Sequence, residues 1–205
     1  MSEKTCYIFG AGDFFGFHKK IHEQDLVLAA DGGYEYALQL SIKVDKLIGD
    51  FDSIRTSSLP DDRIIYPKEK DDTDMLLALK YGLEHHYRKF ENFGGLGGRF
   101  DHSLANLQAL CFLNEHHATG TLHGDHYTLT TLKNGTLSLP TKKEGYISIF
   151  SLSDCSIGVT IENLKYTVKN AVLNRTFPLG VSNAFIGKPA TICVKNGTLA
   201  ILWYE

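Results

Sequence analysis

At 205 residues, 43% hydrophobic and 22% charged, the chain has the make-up of a globular protein, long enough for one large domain or two small ones, which excludes disorder as the default over any long stretch. A formal net charge of −3 gives no general attraction for a nucleic-acid backbone. The opening MSEKTCYIF holds no apolar run long enough for a signal peptide or membrane span, so the expected setting is the cytoplasm, with neither membrane nor nucleic acid as partner.

In chain order, CYIF (6–9), LVLAA (26–30), KLIG (46–49), RIIY (63–66) and FENFG (90–94) read as strands, and the intervals between them leave room for helices. DMLLALKYGLEHH (74–86) is expected to be a helix with Leu76, Leu79, Leu83 and His86 as its buried stripe. SLANLQALCFLNEH (103–116) is expected to bury Leu104, Leu107 and either Leu110 or Cys111. This alternation predicts a three-layer α/β/α domain with a mostly parallel sheet over residues 1–124.

From residue 125 the rhythm changes to YTLTTL, TLSLP, GYISIFSL, YTVKNAVL, ATICVK and GTLAILWY, with hairpin turns expected at Asn134-Gly135 and Asn196-Gly197. Residues 125–205 therefore read as an all-β sandwich. Cys6, Cys111, Cys155 and Cys193 are too scattered for a metal or redox pair and are expected to be buried thiols. Trp203 is read as a core or interface residue.

The first half repeatedly turns from an apolar strand to Gly and Asp. AADGG brings Asp31, Gly32 and Gly33; IGDFDS brings Asp50 and Asp52; KEKDDTD brings Asp71, Asp72 and Asp74; GGLGGRFDH brings Arg99 and Asp101. In a parallel sheet the C-terminal strand ends share one edge, so these groups meet at one crevice. Clustered carboxylates repel one another, and a small hard cation such as Mg²⁺ relieves that repulsion while binding phosphate oxygens. Asp50 and Asp52 approach one ion only if the chain turns after Gly49. Thr73 and its neighbouring aspartates also suit a plain helix-capping role.

Gly94, Gly95, Gly97 and Gly98 let backbone N–H groups approach an anion, and Arg99 adds a fork of donors suited to phosphate. No Lys-Ser or Lys-Thr follows, so this is not the usual nucleoside triphosphate loop. Gly10 and Gly12 after the first strand permit another close approach. His102 stands beside Asp101, whereas His85, His86, His116, His117, His123 and His126 form no zinc-ligand set and read as packing or solvated residues.

DGG, GDFDS, KDDTD and GGLGGRFDH in this order, followed by a β-rich part with LGVSNAFIG, resemble the thiamin pyrophosphokinase family over nearly the whole chain. The resemblance implies transfer of the pyrophosphoryl group of ATP to the hydroxyethyl oxygen of thiamin, with AMP as the second product. It also implies an α/β domain that binds ATP, a thiamin-binding β-sandwich, and a homodimer whose cleft is shared between subunits. Carried onto this chain, it makes Asp50, Asp52, Asp71, Asp74, Arg99 and Asp101 the catalytic set, with Asp50, Asp52, Asp74 and Asp101 as Mg²⁺ ligands. Asp31, Gly32, Thr73, Gly95, Gly97, Gly98, Arg99 and His102 would hold the nucleotide; Ser182, Asn183 and Phe185 would meet thiamin. Whether Asp71 or water accepts the alcohol proton stays open. A Mg²⁺-dependent phosphohydrolase, using the DFD aspartates, and a non-catalytic nucleotide- or thiamin-binding module are the rival readings.

Overall fold

A computed structural model describes residues 4–56 and 59–204 and divides the chain into two compact units, residues 1–125 and 126–205. The first unit contains β1 (Thr5–Phe9), β2 (Leu26–Ala30), α1 (Gly33–Gln39), β3 (Lys46–Gly49), β4 (Arg63–Ile65), α2 (Asp74–Glu84), β5 (Lys89–Phe93), α3 (Phe100–Glu115) and β6 (Thr119–His123). Its strands lie in the order β6-β5-β1-β2-β3-β4, all parallel. Alternate residues serve opposite faces of the sheet. Tyr7, Phe9, Val27, Ala29, Leu47 and Phe93 pack with Tyr34 and Ala37 of α1, and the segment after β1 covers them with Phe14 and Phe17. Helix α2 lies on the other face, where Gly82 sits against Phe90 and Cys6.

That contact corrects the expected helix stripe. Helix α2 buries Met75, Leu77, Ala78, Leu79 and Gly82 rather than Leu76, Leu83 and His86. A Cβ on Gly82 would stand 2.5 Å from the Phe90 ring, so a small residue there lets the helix lie close to the sheet, with Leu77 and the expected Leu79 buried and Leu76 and Leu83 only half-buried. His86 is exposed at φ +63°, beyond the helix end. Helix α3 likewise buries Asn106, Ala109, Leu110 and Leu113, leaving Leu104 49% exposed. Among the described residues, no helix is long and apolar enough to cross a membrane.

The second unit comprises β7 (Tyr127–Lys133), β8 (Thr136–Leu139), β9 (Tyr146–Ser151), β10 (Cys155–Glu162), β11 (Val168–Asn174), β12 (Gly180–Ala184), β13 (Ala190–Cys193) and β14 (Thr198–Tyr204). It is an all-β sandwich of antiparallel strands in the orders β12-β9-β14-β7 and β11-β10-β13-β8. Ile147 and Ile149, Val159 and Ile161, and Leu199 and Ile201 share one core at the period of two that a half-buried strand requires. Trp203 packs against this core half-buried.

Neither Asn-Gly pair closes a hairpin. Strand β7 pairs with β14 while β8 pairs with β13, so each turn carries the chain from one sheet to the other. The two corners brace each other: Gly197 N–H donates to Asn134 Oδ1 at 2.8 Å and Asn134 N–H to the Gly197 carbonyl at 3.2 Å. Strands β6, β10 and β12 lie outside the predicted set. Gly158 at φ +70° and Ser182 at φ +58° accompany shifts of register in β10 and β12, which break the alternation a sequence reading depends on. The thiols also differ from expectation: Cys6 is buried, Cys111 and Cys193 are half-buried, and Cys155 is exposed, where Sγ bonds Asn174 Oδ1 at 3.1 Å.

Candidate active site

The strand C-terminal ends of the first unit open into a cleft of about 550 Å³. The loops after β1, β2, β3, β4 and β5 build it. After β1, Gly10 N–H donates to the Phe93 carbonyl at 2.7 Å and Gly12 N–H to the Gly94 carbonyl at 2.8 Å. A Cβ on Gly94, which holds φ +64°, would lie 2.2 Å from the Gly10 carbonyl oxygen, so glycine is required there. Asp13 then clamps the glycine loop by accepting from Gly98 N–H at 2.8 Å, and Asn106 of α3 donates to the Gly95 carbonyl at 2.6 Å. Both anchors went unread in the sequence, where neither stands inside a recurring motif.

Opposite this loop lie the carboxylates. The chain does turn after β3: Gly49 and Phe51 hold φ +151° and +66°, and Asp50 Oδ1 accepts from Asp52 N–H at 3.1 Å. One carboxylate oxygen from each of Asp31, Asp50 and Asp52 lies within 4.8 Å of the others. Asp31 sits at φ +49° with its N–H on the Ile48 carbonyl, Ser53 donates its hydroxyl to Asp31 Oδ2, and Asp31 Oδ1 is buried without a hydrogen-bond partner. The serine of GDFDS thus orients the aspartate of DGG. A buried, unsatisfied carboxylate oxygen beside two further carboxylates is a set of hard oxygen donors that fits a divalent cation.

Thr73 caps α2 by accepting from Leu76 N–H at 3.2 Å, which puts Asp74 in the first turn facing the cleft. Burial raises the Asp74 pKa; Lys70 opposes the rise, and the charges of Asp31 and Asp50 reinforce it. Lys70 Nζ stands 2.9 Å from Asp74 Oδ1 and 3.9 Å from Asp50 Oδ2. Lys68 reaches Asp52 from solvent, and this hydrogen-bonded ammonium holds the Asp52 carboxyl below its ordinary pKa. At the α3 end, Arg99 hydrogen-bonds Asp101 and lowers its pKa in the same way.

Of the residues singled out in the sequence, Asp31, Asp50, Thr73, Asp74, Gly95, Gly97, Gly98, Arg99 and His102 line this cleft. Gly32 is outside the lining and lies against Ser53; Asp52 belongs to the carboxylate group at its edge. Asp71 and Asp101 are exposed and outside its lining, whereas Asp72, at the variable place of KDDTD, is within it and pairs with Lys80 at 2.6 Å.

In the second unit, Ser182 is exposed beside Tyr146, Ser148, Phe150, Val181, Leu202 and Tyr204 in a hollow of about 390 Å³. Asn183 is different. Only 4% exposed, it accepts from Tyr166 and Ala184 N–H at 2.9 Å each and donates to the Tyr166 carbonyl at 2.7 Å. Phe185 is also buried, within the sandwich core. These two side chains hold the backbone that presents Ser182, with their own surfaces already occupied.

Carboxylates facing glycine loops at the ends of parallel strands form the site of an enzyme that handles phosphate groups. Comparison with known proteins narrows that class. The family model described as thiamin pyrophosphokinase, catalytic domain, matches residues 17–121, and the one described as thiamin pyrophosphokinase, vitamin B1 binding domain, matches residues 134–199. A thiamine pyrophosphokinase of Bacillus subtilis is 28% identical over 187 residues, 88% of this chain and 87% of that protein. A crystal structure of thiamine pyrophosphokinase from Bacillus subtilis superposes with a TM-score of 0.88 at 26% identity, covering 98% of this chain and 99% of that one. The Geobacillus thermodenitrificans enzyme superposes with a TM-score of 0.84 at 25% identity, covering 98% and 97%. The chain belongs to the thiamin pyrophosphokinase family and is an enzyme of ATP-dependent pyrophosphoryl transfer to thiamin.

Proposed function

We propose that the first unit binds ATP and activates it, that the second supplies the thiamin site, and that the chain works as a homodimer whose active site draws on both subunits. The observation that carries the ATP assignment is the cleft in which Asp31, Asp50 and Asp74, with Asp52 at the edge, face the glycine loop and Arg99. Asp31, Asp50 and Asp52 would hold Mg²⁺, which when bound neutralises charge on phosphate oxygens. Asp74 borders that group. The loop after β5 accommodates the triphosphate closely because its glycines leave no side chain in the way. Arg99, exposed and anchored to Asp101, is placed to exchange that carboxylate for phosphate oxygens. Attack of the thiamin hydroxyl at the β-phosphorus, in line with the α-β bridging oxygen, releases AMP; attack at the γ-phosphorus would release ADP.

For thiamin, the hollow around Ser182 offers the rings of Tyr146, Phe150 and Tyr204 and the hydroxyls of Ser148 and Ser182, a mixture suited to a flat heterocycle with polar edges. The name of the second family domain, vitamin B1 binding, supports that placement. Tyr146, Phe150, Phe177, Leu179 and Val181 are all exposed apolar residues of this unit, which favours its burial against a second copy. The four cysteines, held as free thiols, fit a reducing compartment such as the cytoplasm.

The site assignment is tested with Asp50→Asn and Asp74→Asn in steady-state turnover across a Mg²⁺ titration. Each is expected to lose at least about tenfold in kcat. Because the Asp74 pKa is raised, its charged form costs stability as pH rises through that value, so Asp74→Asn should keep or raise the thermal midpoint at neutral pH. Parental kcat and Mg²⁺ dependence in both variants would remove these residues from the site.

A further inference from the structure

Lys70 opens the KDDTD stretch, in which only the aspartates and the threonine have so far been given roles, and it is the most enclosed cation of the cleft. Its side chain is 13% exposed and lies against Asp74, 26% exposed, and Asp50, 17% exposed. Lys68 is also paired with a carboxylate but is 78% exposed. We infer that Lys70 is a resident counter-ion that the divalent cation must displace from Asp50, and that the displaced ammonium moves to a nucleotide phosphate. Lys70 is thus a positioning residue that couples cation binding to nucleotide binding, and the inference rests on the Mg²⁺ and ATP assignments made above.

The electrostatics run in one direction. In the ligand-free protein the ammonium, 2.9 Å from Asp74 Oδ1 and 3.9 Å from Asp50 Oδ2, offsets the mutual repulsion of the carboxylates around it. A divalent cation at Asp50 would stand near that same ammonium, and two positive charges about 4 Å apart repel strongly in a half-buried site. Lysine has a flexible four-carbon stem and a compact charge, so its head can leave Asp50 while its backbone stays fixed before α2. The cleft it would move within also contains the glycine loop and Arg99. A triphosphate arriving there supplies the negative charge that accommodates both cations. Metal without nucleotide therefore binds weakly, and each ligand improves the site for the other.

The test compares the parent with Lys70→Gln, Lys70→Arg and Lys68→Gln, using Mn²⁺ alone as the probe and following its binding to the nucleotide-free protein by the paramagnetic resonance of free Mn²⁺. Lys70→Gln should tighten the Mn²⁺ dissociation constant roughly tenfold, the Coulomb repulsion being discounted for partial exposure. Lys70→Arg, which keeps the charge, and Lys68→Gln, whose charge is screened by water, should stay within about threefold of the parent. Lys70→Gln should also weaken ATP binding measured in a chelator, where no metal contributes. Thermal midpoints give a second readout: Lys70→Gln should melt lower than the parent without metal and gain more from Mn²⁺. Equal Mn²⁺ constants and equal Mn²⁺-induced midpoint shifts in Lys70→Gln and the parent would overturn the role of Lys70. If parental turnover also proved independent of divalent cations, the metal assignment itself would fall with it.

Discussion

Replacing Asn183 by alanine separates the thiamin contact that the resemblance implies from the backbone-holding role that the structure shows. In the structure the side chain is buried and makes three hydrogen bonds, two as acceptor from Tyr166 and Ala184 N–H and one as donor to the Tyr166 carbonyl. Alanine deletes all three and fills none of the space. At about 1 kcal/mol for each backbone group left without its partner, the loss is about 3 kcal/mol. For a chain of this length that corresponds to a fall of about 6 to 12 °C in thermal midpoint. Urea unfolding followed by near-ultraviolet circular dichroism gives the free energy, and thiamin kinetics at saturating ATP give the functional arm. Ser182→Ala serves as the counterpart, since the exposed Ser182 is held by its own N–H on Ser148 Oγ at 3.1 Å and keeps that bond. It should leave unfolding nearly unchanged while raising the KM for thiamin. Parental stability in Asn183→Ala, with a raised KM for thiamin, would refute the reasoning and turn that side chain toward the substrate.

Two further outcomes follow from positions away from the carboxylates. Gly94→Ala should cost about 2 kcal/mol or more, since the new Cβ meets the Gly10 carbonyl oxygen at 2.2 Å and the backbone sits at φ +64°; a loss under about 0.5 kcal/mol in denaturant unfolding would contradict it. Glu91 gives a pH dependence: burial raises its pKa, but the His123 contact at 2.6 Å and the charge of Lys19 outweigh this and leave it lowered. A lowered folded-state pKa adds stability above the unfolded value of about 4.3 and loses it as pH falls through the folded value. Glu91→Gln should therefore melt below the parent at pH 7, with the gap closing in acid; a gap constant down to pH 3 would dispose of this coupling.

The parts of the fold legible in the sequence were those governed by local pattern. The apolar runs of β1, β2, β3 and β5 and the Gly-Asp changes after them announce a parallel sheet with a polar edge, because these strands are buried on both faces and end at the crevice. Helix faces were harder to read: in α2 it is Gly82, not a leucine, that decides how near the helix approaches the sheet. The Asn-Gly corners mark turns correctly as chemistry but not as topology, since partner choice for β7 and β8 is made by strands far along the chain. At the site, spacing draws attention to the aspartates, while Asp13, Lys70 and Asn106 act through contacts across 85, 4 or 20, and 11 residues respectively. The same limit explains Asn183 and Phe185. A motif marks where residues matter without saying whether they touch substrate or hold the strand that does.

The reaction itself is tested most directly by product identification. The purified chain, incubated with ATP, Mg²⁺ and thiamin, should form AMP and thiamin diphosphate in equal amounts, with AMP formation dependent on thiamin. ADP, or inorganic phosphate released at the same rate without thiamin, would contradict transfer of the pyrophosphoryl group and place this cleft with the phosphohydrolases instead.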